Sequence, residues 1–181
     1  NLKGTIYMVQ KDRARAEASF QAALKANPNY LQPYYALAGI YISENRTDEA
    51  VAQYQAALQA NPKQARVHLL LGTIFDSQKK YDASEKHYRA ALEINPDFVP
   101  AANNLAYILA DQGKDINEAL DFARLAKEKL PEDANVMDTL GWVYYKKGLY
   151  DSAIAEFTDC LEKKPDNPTV IYHLGMAYYK K

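Results

Sequence analysis

Five prolines, Pro28, Pro62, Pro96, Pro131 and Pro165, divide this chain at intervals of 34, 34, 35 and 34 residues. No other feature constrains the fold as tightly. A fixed period of this length means a supersecondary unit that cannot bury its apolar face alone and must stack on its neighbours. Each proline closes a similar phrase, as in Ala57-Leu58-Gln59-Ala60-Asn61-Pro62 and Ala91-Leu92-Glu93-Ile94-Asn95-Pro96. The remaining prolines, Pro33, Pro100 and Pro168, follow a period proline by a few residues. A helix beginning there tolerates them, because the first-turn N–H would be unpaired anyway.

Between successive prolines lie two apolar-periodic stretches separated by a polar break: Glu44-Asn45-Arg46, Gln78-Lys79-Lys80, Gln112-Gly113-Lys114 and Lys147-Gly148-Leu149. Asn45, Gly113 and Gly148 suit the left-handed conformation that ends a helix. Asp48, Asp82, Asp115 and Asp151 then stand where a carboxylate is expected to cap the amides of a second helix. The unit is helix–turn–helix, and no stretch sustains the alternation of a strand.

With repeats started at Leu31, Ala65, Val99 and Ala134, leucine recurs at Leu37, Leu71, Leu105 and Leu140. A small residue follows it at Ala38, Gly72, Ala106 and Gly141, and an aromatic at Tyr41, Phe75 and Tyr144, with Leu109 departing. In the second helix a small residue recurs at Ala50, Ser84, Ala119 and Ala153, then Tyr54, Tyr88 and Phe157, with Ala123 departing. This pattern resembles the tetratricopeptide repeat family, whose phrase is W-x2-L-G-x2-Y, A-x3-F and P over 34 residues. The resemblance covers the whole chain. It implies an all-α, right-handed superhelical solenoid of antiparallel helix–turn–helix repeats. Glycine or alanine at the small positions lets two backbones approach, so a large side chain at Gly72 or Gly141 is expected to overpack at a cost of about 1–3 kcal/mol.

The boundaries that follow are a single array over 1–181: a partial repeat at 1–30, full repeats at 31–64, 65–98, 99–133 and 134–167, and a first helix at 168–181. The third full repeat carries one extra residue near Lys114-Asp115-Ile116-Asn117, where a locally shifted hairpin is expected. Gly4 and Tyr7 occupy the small and aromatic slots of a first helix, and Leu174-Gly175 and Tyr178 do so again. Ile171, Leu174 and Tyr178 are expected to be partly bare. The chain reads as a piece of a longer protein resembling the long bacterial tetratricopeptide proteins, some of which serve envelope assembly or polysaccharide export.

The residues offer little chemistry. A formal net charge of −1 provides no global field for nucleic acid or an anionic membrane. No apolar run nears the roughly 18 residues that span a bilayer, so a soluble protein without direct membrane insertion is expected, cytoplasmic or in a bacterial envelope. The lone Cys160 falls in a small-residue slot and excludes an internal disulfide. His68, His87 and His173 have no ligand-type partners at metal-motif spacing, and no phosphate loop or nucleophile motif is present. No metal, no cofactor and no enzymatic activity are therefore expected.

Tyrosine is the compositional outlier, with 15 residues against 5 phenylalanines and 1 tryptophan. In the family resembled, first helices line the concave face, where ligands lie. By position that face implies Tyr35, Asn103, Asn104, Tyr107, Asp138, Trp142, Tyr145, Tyr172 and Tyr179 as partner-binding residues, richest in rings toward the C-terminal half. Tyrosine and tryptophan bury large area at low entropic cost. The lysine and asparagine pair of the chaperone-tail clamps is missing, since its slots hold Tyr35/Gly39, Leu69/Thr73, Asn103/Tyr107, Asp138/Trp142 and Tyr172/Met176. The function implied is a protein-interaction scaffold holding a peptide or partner protein in the groove. Two alternatives stand beside it: a spacer or self-association module acting through uncapped ends, and a targeting arm of a larger enzyme.

Overall fold

A computed structural model describes residues 2–181, and the regular structure among them is entirely α-helical. It falls into two compact units, Asn1–Lys80 and Tyr81–Lys181. The first unit holds α1 (Leu2–Val9), α2 (Arg13–Ala26), α3 (Leu31–Ser43), α4 (Thr47–Ala60) and α5 (Ala65–Ser77). The second holds α6 (Tyr81–Ile94), α7 (Val99–Asp111), α8 (Ile116–Lys129), α9 (Ala134–Lys146), α10 (Tyr150–Lys163) and α11 (Pro168–Lys180). Within each unit every helix packs on the next in chain order. In the second unit α7 also packs on α9, and α9 on α11, so first helices line up side by side.

Every first helix of a hairpin stops in the same way. Lys11, Asn45, Lys79, Gly113 and Gly148 have φ of 59°, 59°, 58°, 64° and 82°. The following N–H reaches back to the carbonyl five residues earlier: Asp12 to Tyr7 at 2.9 Å, Arg46 to Tyr41 at 2.8 Å, Lys80 to Phe75 at 2.8 Å, Lys114 to Leu109 at 2.9 Å and Leu149 to Tyr144 at 2.9 Å. These are Schellman closures, and they need a left-handed residue. Asn45, Gly113 and Gly148 fill the role as their chemistry suggests. Lys11 and Lys79 hold it against the side-chain clash that a Cβ brings there.

The second turn of each repeat has two solutions. At the first three, Asn27, Asn61 and Asn95 accept from the N–H groups of Asn29, Lys63 and Asp97 at 3.1, 3.2 and 3.2 Å, folding the chain around the proline between them. Leu130 and Lys164 stand in that place later, and the side-chain acceptor moves onward. Asp133 caps α9 through the amides of Asn135 and Val136, and Asn167 caps α11 through those of Thr169 and Val170.

The capping expectation needs correction. Asp115 does cap α8, accepting from Asn117 and Glu118 at 3.0 Å each. Asp48, Asp82 and Asp151 instead lie inside the first turns of α4, α6 and α10, where they complement the helix dipole without capping an amide. The extra residue of the third repeat is the reason. Between the left-handed Gly113 and α8 it adds Lys114, which puts Asp115 at the cap position. Lys114 also reaches back to Asp82 at 2.9 Å and Glu85 at 2.7 Å. Helices α7 and α8 keep the 13 and 14 residues of the neighbouring hairpins, and Leu109 and Ala123, the two departures from the pattern, are both buried.

The core is made where a bare backbone meets a ring. A Cβ built on Gly141 would lie 2.6 Å from Phe157 Cε1, and one on Gly4 would lie 2.6 Å from Phe20 Cε1. Phe157 and Phe20 are essentially buried. Leu37, Ile40 and Tyr54 join Phe20 in the core of the first unit, and Leu105, Leu140 and Val143 are buried in the second. Ile171 and Tyr178 are exposed on α11, as expected.

Two expectations follow for stability. Gly141→Ala is expected to lower the melting temperature, because overpacking against Phe157 at about 1–3 kcal/mol exceeds the gain of about 1 kcal/mol in helix propensity. Gly39→Ala, whose Cβ meets nothing within 4 Å, should raise it by that propensity gain. Lys79→Gly relieves the left-handed strain at an exposed site, and urea titration should show about 0.5–1 kcal/mol more stability.

Candidate functional site: an aromatic cluster on the first helices of the second unit

On α9, Asp138, Trp142 and Tyr145 are spaced by four and three residues, so they share one face. The flanking first helices add Tyr107, which occupies on α7 the position of Trp142, and His173, which lies on α11 one position past that of Asp138. The rings meet around Trp142. Its indole stacks on Tyr107 at 6.3 Å, on Tyr145 at 5.2 Å and on His173 at 4.4 Å between centroids. Lys146 Nζ lies 4.8 Å from the same ring, a cation–π contact. Trp142 is consequently only 8% exposed.

That burial changes the part each residue can play. Trp142 is a wedge between helices, with little surface left for a ligand. Truncating it to alanine would remove a buried ring, a change that costs about 3–5 kcal/mol in protein cores. The exposed aromatic surface belongs instead to Tyr172 and Tyr179, at 64% and 86%, with Tyr107 and Tyr145 half-buried beside Trp142. Tyr145 also tilts against Tyr150 at 5.8 Å.

His173 looks isolated in the sequence and is not. It is 5% exposed, held between Trp142 and Phe157, with the Phe157 centroid 5.5 Å away. Its Nδ1 lies 2.8 Å from Asp138 Oδ1. The two residues are 35 apart, one repeat plus one position, so stacked first helices place them side by side. That offset is the signal that could have paired them.

The asparagines divide. Asn104 donates from Nδ2 to the hydroxyl of the buried Tyr88 at 3.3 Å, which ties α7 to α6. Asn103 lines a recess of about 300 Å³ with Val99, Pro100, Leu130, Asp133, Asn135 and Val136, near the starts of α7 and α9. Asn103 Oδ1 and Trp142 Nε1 are buried polar atoms without a hydrogen-bond partner. Such atoms are uncommon and costly, at about 1–3 kcal/mol each. Tyr35 belongs to the first unit, where it packs edge-on to Tyr54 at 6.2 Å with the Arg66 guanidinium 5.9 Å from its ring.

Cys160 is fully buried, its Sγ lies 3.1 Å from the Ala134 carbonyl, and burial pushes its thiol up, away from the nucleophilic thiolate. Among the described residues no group of three or more His, Cys, Asp or Glu could hold a metal ion. No helix among them is long and apolar enough to cross a membrane.

The Asp138–His173 contact yields a direct test. His173→Ala should cost about 1.5–3 kcal/mol, the range for a hydrogen bond to a charged group. It should also shift Trp142 emission to longer wavelength as one indole face is uncovered. Unchanged emission and an unchanged urea midpoint would mean the pair holds nothing together.

Models of the tetratricopeptide repeat match residues 7–74, 65–98 and 87–121, and a model of the TPR repeat matches residues 141–181. Among curated proteins no sequence matches. Among solved structures, the chain resembles a tetratricopeptide repeat protein from Parabacteroides merdae, with a TM-score of 0.83 at 17% identity, covering 98% of this chain and 70% of that one. It also resembles YrrB, described as a TPR protein with an unusual peptide-binding site, with a TM-score of 0.76 at 21% identity over 93% and 87% of the two chains. A third is MamA, with a TM-score of 0.75 at 20% identity over 90% and 88%. At these identities the likeness is one of fold, an all-α helical-repeat solenoid.

Proposed function

Because this chain belongs to the tetratricopeptide repeat family, we propose that it is an interaction scaffold whose α7, α9 and α11 hold an extended peptide of a protein partner. The observation that supports this most is the ring cluster centred on Trp142, with the exposed Tyr172 and Tyr179 beside it. In this reading Trp142 and His173 are a rigid platform, braced by Asp138. Tyr107, Tyr145, Tyr172 and Tyr179 make the contact. Rings held in place this way bury area without paying much conformational entropy. Asn103, beside its recess, contributes an amide to the peptide main chain. YrrB's peptide-binding site supports the same use of a related fold. The surface is confined to the second unit, so Tyr35 is left out of it. No catalytic step, cofactor or nucleic acid is assigned to the chain.

The test is selection from a random peptide display library, followed by titration of the selected peptides monitored through Trp142 emission. Tyr145→Ala should weaken binding at least about tenfold, as loss of a hot-spot ring does, while leaving the melting temperature within a few degrees. Selected peptides that bind Tyr107→Ala and Tyr145→Ala as tightly as wild type would remove this surface from the function.

A further inference from the structure

We propose that the occupant of this surface is a proline-rich segment in the polyproline II conformation, an inference that rests on the groove reading above. Three observations point to that chemistry. The first is charge. Two ionisable pairs beside the rings are engaged within the chain: Asp138 with His173 at 2.8 Å, and Lys146 with Asp111 at 3.5 Å. What remains is mostly phenols and amides, with the exposed Lys180 next to Tyr179, a face better matched to an uncharged ligand than to a row of lysines or glutamates.

The second is spacing. Tyr172 and Tyr179 are seven residues apart on α11 and therefore on one face, about 10.5 Å apart along the axis at 1.5 Å per residue. A polyproline II helix repeats every three residues, about 9.3 Å at 3.1 Å per residue. Two prolines on one edge of such a helix can thus lie against two tyrosines in turn. Tyr145 occupies on α9 the position that Tyr179 holds on α11, which extends the row to the next helix.

The third is the balance of hydrogen-bonding groups. Proline has no N–H, so a proline-rich strand presents carbonyl acceptors alone and needs donors from its receptor. The surface offers them in its phenol hydroxyls and in the Asn103 side-chain amide. Aromatic-lined grooves with interspersed donors are a general solution for such ligands, whose preformed helix loses little entropy on binding.

The probe is a ten-residue proline peptide titrated into the full chain with Trp142 emission as the readout, against a glycine–serine peptide of equal length. Saturable binding of the proline peptide alone is expected, changing less than about twofold between low and high salt because few charges take part. Tyr179→Ser should weaken it at least about fivefold, and Tyr35→Ser, in the other unit, should leave it unchanged. No saturation at millimolar peptide, or equal response to the glycine–serine peptide, overturns the proposal. So does binding that salt abolishes. Library-selected peptides that engage the surface without enrichment in proline would defeat the proline assignment and leave the groove reading standing. If a neutral oligosaccharide saturates the emission change while every peptide is silent, both fall.

Discussion

The structure depends on a ring pressed against a helix that has no side chain to hold it off. Phe157 lies so close to the Gly141 backbone that a single added carbon would sit 2.6 Å from it, and Phe20 stands to Gly4 in the same way. Close approach of two helices within a hairpin sets where the first helices lie, and thereby how they line up on one another. Phe157 carries this further, because its other side meets His173 at 5.5 Å. The contact that closes the α9–α10 hairpin is therefore also the floor of the aromatic cluster. Gly141 supports Phe157, Phe157 supports His173, and His173 supports Trp142. A change in the core at Gly141 would be felt on the surface at Tyr145.

The turns do a different job. Each Schellman closure ends a helix at a set residue and launches the next at a set angle, at the cost of one left-handed residue. Glycine and asparagine accept that conformation readily, and lysine accepts it at Lys11 and Lys79 because the rest of the hairpin over-determines it. The third repeat shows how much freedom such a link has. One extra residue after Gly113 disturbs neither helix, gives α8 a side-chain cap through Asp115 and lets Lys114 reach the preceding second helix. Ion pairs between successive second helices, such as Arg89 with Glu118 and Lys127 with Glu156, are part-buried. They join residues 29 apart and so mark the stacking register.

Much of this was legible in the residues. The proline period, the leucine and small-residue slots and the polar breaks specify paired helices, because each reports a local requirement: an unpaired amide, a close backbone, a left-handed turn. The helices begin at Leu31, Ala65, Val99, Ala134 and Pro168, where that periodicity places them. Ring content was legible as well, and so was the burial of Cys160. Three things were not. Asp48, Asp82 and Asp151 sit two residues past the cap position of their helices, a matter of turn geometry. Trp142 has the composition of a contact residue and the environment of a core one. His173 has no sequence neighbour to betray its partner.

The chain by itself determined the element types, their order and the identity of the residues at each slot, since backbone preference and apolar period act over a few residues at a time. Tertiary structure alone decided which of those residues share a surface. Asp138 and His173 meet across 35 residues, and Tyr107, Trp142 and His173 stack from three separate helices. Such meetings are fixed by how closely neighbouring helices approach. That distance is set by the fit of a ring against a glycine elsewhere in the hairpin, and no local pattern records it.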